Sequence, residues 1–241
     1  MSAAVWCVTG TDTGVGKTMA TACLAAAALR RGDRVAVYKP AQTGVGPAEP
    51  GDVQTVAALL GHPDRLTVAE GTRLGPAMAP VDAAEAAGGA AVAGALPGRD
   101  EHVAAITGLA GDHDTVLVEG AGGLLVTLAP DGTTIADLAL GADAALVVVA
   151  RPDLGTLNHT GLTLEAASRR GVRPGPVIVG SWPDAPTPLH VSNEARLREL
   201  ATAHGHPWGG TLPAGLAEAT AAQVYRAAAA LAVPSPARGE A

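Results

Sequence analysis

Short apolar runs alternate along this chain with longer stretches rich in Ala and Leu. The run at 3–9 predicts a buried strand, and 18–30 predicts a helix that Gly32 ends. Residues 34–39 predict a second strand, stopped by Pro40. A helix at 53–60 follows a Gly- and Pro-rich loop. The stretch 61–99 is rich in Ala, Gly and Pro and shows no clear period beyond a short helix near 81–87. A helix at 101–110 leads into a strand at 115–119. Thr134 and Asp137 fit a capping box, in which hydroxyl and carboxylate satisfy the free amides of a short helix. Residues 144–150 are nearly all apolar and predict another strand. A helix at 156–170, a strand at 176–180, a helix at 189–203, a short strand at 210–212 and a helix at 217–231 complete the pattern. Continuously apolar strands alternating with helices indicate an α/β fold: a mostly parallel sheet with helices on both faces. No repeat or linker interrupts it. Residues 1–233 therefore read as one domain and 234–241 as a flexible tail.

Composition narrows the function classes. Of 241 residues, 48% are hydrophobic, yet there is no Phe and there are only three Trp and two Tyr. Ala, Val and Leu must fill the core. The net charge of −7 and the scarcity of aromatics argue against a nucleic-acid partner. No apolar run is long enough for a membrane span. The first residues, MSAAVWCVTG, lack a basic leader, which predicts a cytoplasmic protein. Cys7 and Cys23 fall in apolar segments and read as buried structural thiols. Apart from His159, the His residues, including His204 and His206, lack ligand spacing and read as solvated or loop residues. Only two of the 16 basic residues are Lys, Lys17 and Lys39, which singles both out.

Lys17 closes the most specific motif in the chain, Thr9-Gly10-Thr11-Asp12-Thr13-Gly14-Val15-Gly16-Lys17-Thr18. Set between a strand and a helix, this is a phosphate loop. Its glycines turn backbone amides inward, and the helix N-terminus favours negative charge. Lys17 would reach the β- and γ-phosphates, and the Thr18 hydroxyl would hold Mg²⁺. The spacing is a variant, with five residues rather than the usual four between Gly10 and Gly16. The loop needs an acid for the metal. Glu119, at the end of an apolar strand, fits that role or is a surface acid; Asp52 fits it or simply caps the helix it opens.

Lys39 closes the second strand in Lys39-Pro40-Ala41-Gln42-Thr43-Gly44. Parallel sheets bind ligands beyond the carboxyl ends of their strands. If the first two strands are neighbours, Lys39 enters the same crevice as Lys17; otherwise it is an exposed Lys at a strand end.

Four segments together resemble the dethiobiotin synthetase family: residues 9–18, Lys-Pro-x-x-Thr-Gly at 39–44, Val-Glu-Gly-Ala-Gly-Gly at 118–123, and Asp153-Leu154-Gly155-Thr156-Leu157-Asn158-His159-Thr160. The resemblance covers most of the chain. It implies a P-loop NTPase-type fold and a ligase that uses ATP, or another nucleoside triphosphate, and Mg²⁺. The implied substrates are 7,8-diaminopelargonate and CO₂. A carbamate forms on one amine, attacks the γ-phosphate, and is then closed to a cyclic urea by the second amine. It makes Thr18, Asp52 and Glu119 the metal ligands, and Lys17, Lys39 and Thr13 the residues facing the reacting groups. Thr43 would bind the amine or carbamate. Gly155, Thr156, Leu157 and Asn158, at a helix N-terminus, would bind the tail carboxylate, partly from a second subunit, which implies a homodimer. Thr13, Gly14, Val15, Gly16, Lys17 and Thr18 with Gly120, Ala121 and Gly122 would surround the nucleotide. No general base stands out; neighbouring cations would lower the amine's pKa.

The chain departs from the family pattern where many members carry Asn against adenine: it has Gly180-Ser181-Trp182-Pro183. Ser181 and backbone groups would replace that contact, with Leu212, Pro213 and Ala214 as the other wall and Trp182 as the one candidate aromatic platform. A competing reading is a regulatory or partitioning ATPase acting on a protein partner. Such a protein shares the variant loop but needs an exposed membrane or partner helix, and no basic amphipathic terminus is seen.

Overall fold

The computed structural model describes residues 3–232; the expected tail, 234–241, lies outside them. Seven strands form one all-parallel sheet in the order β3-β2-β4-β1-β5-β6-β7. The strands are β1 (Ala4–Gly10), β2 (Val35–Thr43), β3 (Leu66–Leu74), β4 (Thr115–Gly123), β5 (Ala145–Ala150), β6 (Arg173–Trp182) and β7 (Trp208–Pro213). Eight α-helices are described: α1 (Lys17–Arg30), α2 (Asp52–Leu59), α3 (Pro80–Gly94), α4 (Arg99–Asp112), α5 (Ile135–Gly141), α6 (Thr156–Arg169), α7 (Pro188–Ala203) and α8 (Ala221–Ala230).

Strand period builds two cores. Trp6, Val8, Val35, Val37, Val147 and Val149 face the layer containing α1, α2 and α8. Cys7, Ala36, Tyr38, Leu146 and Val148 face the opposite layer, with α5 and α6. The alternation follows because successive side chains on a strand point to opposite faces. On α1 the wall is Ala20, Ala22, Ala25, Ala26 and Ala28, all buried. Burial pushes the thiols of Cys7 and Cys23 up to about 12, so both are inert structural groups.

Four expectations need correction. Pro40 does not stop β2, which runs on to Thr43. Pairing with β4 ends at Tyr38, so Pro40 lies where β3 alone flanks the strand and its missing N–H is tolerated. The stretch 61–99 contains a strand, β3, and a helix that extends past the predicted 81–87. That helix breaks at Gly88 and Gly89, the latter at φ 71° and ψ −166°. The last helix begins at Ala221, because residues 216–218 form a 3-10 turn instead. Finally, His102 and His206 are buried. The Tyr38 hydroxyl and His102 Nδ1 are 2.7 Å apart, and His206 Nδ1 is 2.7 Å from the Gly175 carbonyl oxygen. The capping box is present: the Thr134 amide donates to Asp137 at 2.8 Å.

Candidate functional site

β1 ends at the centre of the sheet, and its chain turns directly into α1 through the phosphate loop. The turn requires Gly16, which caps α1 at φ 95° and whose absent Cβ would lie 2.6 Å from the Gly180 carbonyl oxygen. Gly180 is needed in return: a Cβ there would stand 2.1 Å from the Val15 carbonyl oxygen. The Gly at the family's Asn strand is thus a packing requirement of this phosphate loop. Lys17 is buried and folds back to donate to the Asp12 carbonyl at 3.0 Å. Burial lowers its pKa, and the nearby charge of Lys39 lowers it further. From the end of β5, Arg151 pairs with the Asp12 carboxylate at 2.7 Å and pins the loop from outside.

The two lysines do not come from neighbouring strands. β4 lies between β2 and β1, and its Glu119 joins Lys39 of β2 to Thr18 of α1. The Thr18 hydroxyl donates to Glu119 Oε1 at 3.0 Å, and Lys39 Nζ donates to the same oxygen at 2.9 Å. Lys39 also reaches the Gly120 carbonyl at 3.0 Å and Asp52 Oδ2 at 2.5 Å. Burial, the largest influence, pulls the Lys39 pKa down, but the Glu119 and Asp52 carboxylates together outweigh it and hold it above the ordinary lysine value. Asp52 responds in kind: burial raises its pKa, the charge and hydrogen bond of Lys39 lower it, and the net direction is down.

The acid left open by spacing is therefore no simple cap. Gly51 is the N-cap of α2, and Asp52 is the first helical residue with its carboxylate turned onto Lys39. Glu119 Oε2 is buried with no hydrogen-bond partner among the described residues. A buried carboxylate oxygen of this kind is costly unless paired. A hydroxyl and two carboxylates beside a phosphate loop fit Mg²⁺, which is commonly held by one or two carboxylates together with substrate phosphates.

Two cavities open from the loop. One, of about 710 Å³, gathers Thr13, Gly14, Gly16, Lys17, Thr18, Lys39, Thr43, Asp52, Glu119, Ala121 and Gly122. Its apolar lining includes Val45, Met78, Pro80 and Val126. The other, of about 450 Å³, is bounded by Thr13, Gly14, Val15, Ser181 and Ala214. Sequence reasoning gave no role to three polar residues of its wall, Arg151, Asp153 and His190. Arg151 follows β5 directly, so the rule that ligands sit beyond strand ends could have found it. Leu212 is fully buried in the core behind this cavity, and Pro213 stands exposed at the end of β7. Trp182 packs with Leu157 and Trp208 against Leu197, its ring at 64° to that of His190, and it lines neither cavity. Gly155, Leu157 and Asn158 line neither cavity; they stand with Thr156 at the start of α6, where Gly155 and Asn158 are exposed.

A central β1, a Gly-rich turn into α1 and a lysine over that turn define a P-loop nucleotide-dependent protein. Solved structures at low identity share this fold. The cell division ATPase MinD of Pyrococcus furiosus matches with a TM-score of 0.54 at 16% identity, covering 95% of this chain and 97% of that one. The ATP complex of a Cyanothece McdA variant matches with a TM-score of 0.54 at 12% identity, covering 94% and 88%. A family model described as an AAA domain matches residues 5–216. Sequence relatives are far more similar. The ATP-dependent dethiobiotin synthetase BioD of Mycobacterium avium is 47% identical over 90% of this chain and 89% of its own length. That of Streptomyces coelicolor is 48% identical over 86% and 83%. The chain belongs to the dethiobiotin synthetase family.

Proposed function

We propose that this protein is an ATP-dependent ligase that closes the urea ring of dethiobiotin from 7,8-diaminopelargonate and CO₂. The observation that carries this reading is the position of Lys39. Its ammonium is fixed between two carboxylates in a cavity that the phosphate loop and apolar side chains line together. A phosphate loop alone serves many reactions. A second buried cation beyond it suits a reaction in which two anions must meet.

The amine attacks CO₂ and loses a proton, giving a carbamate. A carbamate oxygen then attacks the γ-phosphorus and ADP leaves. The second amine attacks the carbamate carbon, phosphate departs with that oxygen, and a proton is lost as the ring closes. Lys17 and Lys39 offset the repulsion between carbamate and γ-phosphate, a contribution that grows where water is excluded. Thr43 and Thr13, both on the cavity wall, orient the amine or carbamate. Thr18, Asp52 and Glu119 would hold Mg²⁺, which when bound neutralises charge on the phosphate oxygens. The smaller cavity, with Ser181 and Ala214, takes the nucleoside.

Turnover with diaminopelargonate, bicarbonate and Mg²⁺, followed by mass spectrometry with ATP, CTP and GTP in turn, tests the reading. The cyclic urea is expected; its absence with every nucleotide overturns the proposal. Phosphate release stimulated by a protein and not by the diamine would instead support a partitioning ATPase.

The reading also includes a homodimer in the cytoplasm. Gly155 to Asn158 stand apart from the large cavity of their own chain, and the adjoining surface is apolar: Leu154 is 82% exposed and Leu162 58%. A second copy docked there would present its α6 N-terminus, which favours a carboxylate, to the substrate's tail. Replacing Leu154 and Leu162 together by Glu is expected to give a monomer in analytical ultracentrifugation. The KM for the diamine should rise roughly five- to tenfold, the order of one lost helix-terminus contact. A dimer that persists with unchanged KM would refute this arrangement.

A further inference from the structure

Strand β3 carries a side chain with no part in the motifs, Arg73. Its guanidinium makes five hydrogen bonds. Nε and Nη2 grip the Glu70 carboxylate at 2.9 and 2.7 Å. Nη1 donates to the carbonyl oxygens of Gly46 at 3.0 Å and Glu49 at 2.6 Å, and Nη2 also donates to Gln54 Oε1 at 3.3 Å. The loop it grips joins β2 to α2. It reads Gly44-Val45-Gly46-Pro47-Ala48-Glu49-Pro50-Gly51, and residues 47–50 are exposed. None of residues 47–50 carries a large aliphatic or aromatic side chain, and the Arg73 bonds tie Gly46 and Glu49 to the sheet.

The two ends of that loop belong to the site. Val45 lines the large cavity, and Asp52 starts the helix that follows. Gln54, touched by Arg73, accepts from the Gly51 amide at 2.9 Å. The Asp52 amide donates to Gln42 at 2.7 Å. Gly51 itself is wedged: a Cβ there would lie 2.6 Å from Glu70 Oε1 and 2.8 Å from Gln42 Oε1. A planar fork can hold Glu70 and two loop carbonyls at once. A lysine ammonium, a point charge on a flexible stem, cannot span them all.

We propose that Arg73 is a positioning residue: by tying residues 46–49 to Glu70 it sets the start of α2, and through it Asp52 as a metal ligand. This rests on the assignment of Asp52 in the proposed function, but its test does not depend on which substrate is used. The test compares wild type, Arg73→Lys and the double variant Glu70→Gln/Arg73→Gln, which leaves no buried unpaired charge. Mn²⁺ affinity is read by electron paramagnetic resonance in the presence of a non-hydrolysable ATP analogue. Elastase cleavage after Val45 or Ala48, mapped by mass spectrometry, reports the loop directly.

Both variants are expected to bind Mn²⁺ about tenfold or more weakly, the range seen when a group orienting a metal ligand is lost. They should be cut in the loop several times faster. The KM for the diamine should rise in Arg73→Lys while the affinity for metal-free nucleotide stays put. Mn²⁺ affinity within twofold of wild type in either folded variant overturns the proposal. So does lower thermal stability with unchanged metal affinity, because it assigns Arg73 to stability alone. Failure of wild-type ring closure with normal Mn²⁺ effects would instead count against the proposed reaction.

Discussion

Lys39→Ala is expected to lower turnover by about 10²–10³-fold, the scale of removing one well-placed electrostatic stabiliser. Nucleotide binding should fall far less, because Lys17 and the phosphate loop are left intact. The variant also strips the cation from between Asp52 and Glu119. Breaking a buried ion pair from one side costs about 3–5 kcal/mol. The Asp52 side chain is 33% exposed, so water screens part of this, and a loss of about 2–3 kcal/mol is expected in the nucleotide-free protein. Mg²⁺ with nucleotide should restore much of that stability by supplying the missing positive charge. Calorimetric titration with a non-hydrolysable ATP analogue, set beside steady-state turnover and thermal melts with and without Mg²⁺, separates these effects. Equal loss of binding and turnover would make Lys39 a nucleotide-binding residue and sink its assignment to the reacting groups. Lys39→Arg should rescue only in part, since a planar fork replaces a compact ammonium.

Glu119→Gln is the sharper probe of the metal site. The amide oxygen can still accept from Thr18 and Lys39, so the fold around it survives. The other carboxylate oxygen, buried and without a hydrogen-bond partner among the described residues, becomes an NH₂ group. The variant therefore replaces an acceptor that suits a cation by a donor that does not. Turnover should drop by about 10²-fold or more. Metal-free nucleotide should bind as well as to wild type or better, because one negative charge near the phosphates has gone. Mg²⁺–nucleotide should bind more weakly. Unchanged Mg²⁺ dependence of binding would show that Glu119 is not a ligand.

The phosphate loop and its strand–helix setting were legible because a Gly-rich turn leaves a fixed residue pattern. Glu119 and Lys39 were legible as polar residues closing apolar runs, although their strands run on to Gly123 and Thr43. Their meeting came only from the family resemblance, since it depends on β4 lying between β2 and β1, and strand order leaves no mark on local periodicity. Spacing alone left Asp52 open between cap and ligand, and only the family resemblance made it a ligand; the structure turns its carboxylate onto Lys39. β3 was missed because Leu-Thr-Val-Ala-Glu-Gly-Thr-Arg-Leu carries two charges and a glycine within a strand. Gly71 is there because the Pro40 carbonyl oxygen would lie 2.4 Å from any Cβ. With β3 hidden, Arg73 had no context. The burial of His102 and His206 was equally invisible, since each is satisfied by one distant partner.

The same charged strand bears on how the protein behaves in solution. β3 is one of the two outermost strands of the sheet, where unpaired backbone groups invite another chain to add a strand. Glu70 and Arg73, bridged to each other and to the β2–α2 loop, place paired charges along that margin. Such a margin resists strand addition between copies, which is a route to aggregation as unfolded chains accumulate on heating. The β3 edge is thereby turned away from strand pairing between copies, leaving that side of the sheet to serve as frame for the site.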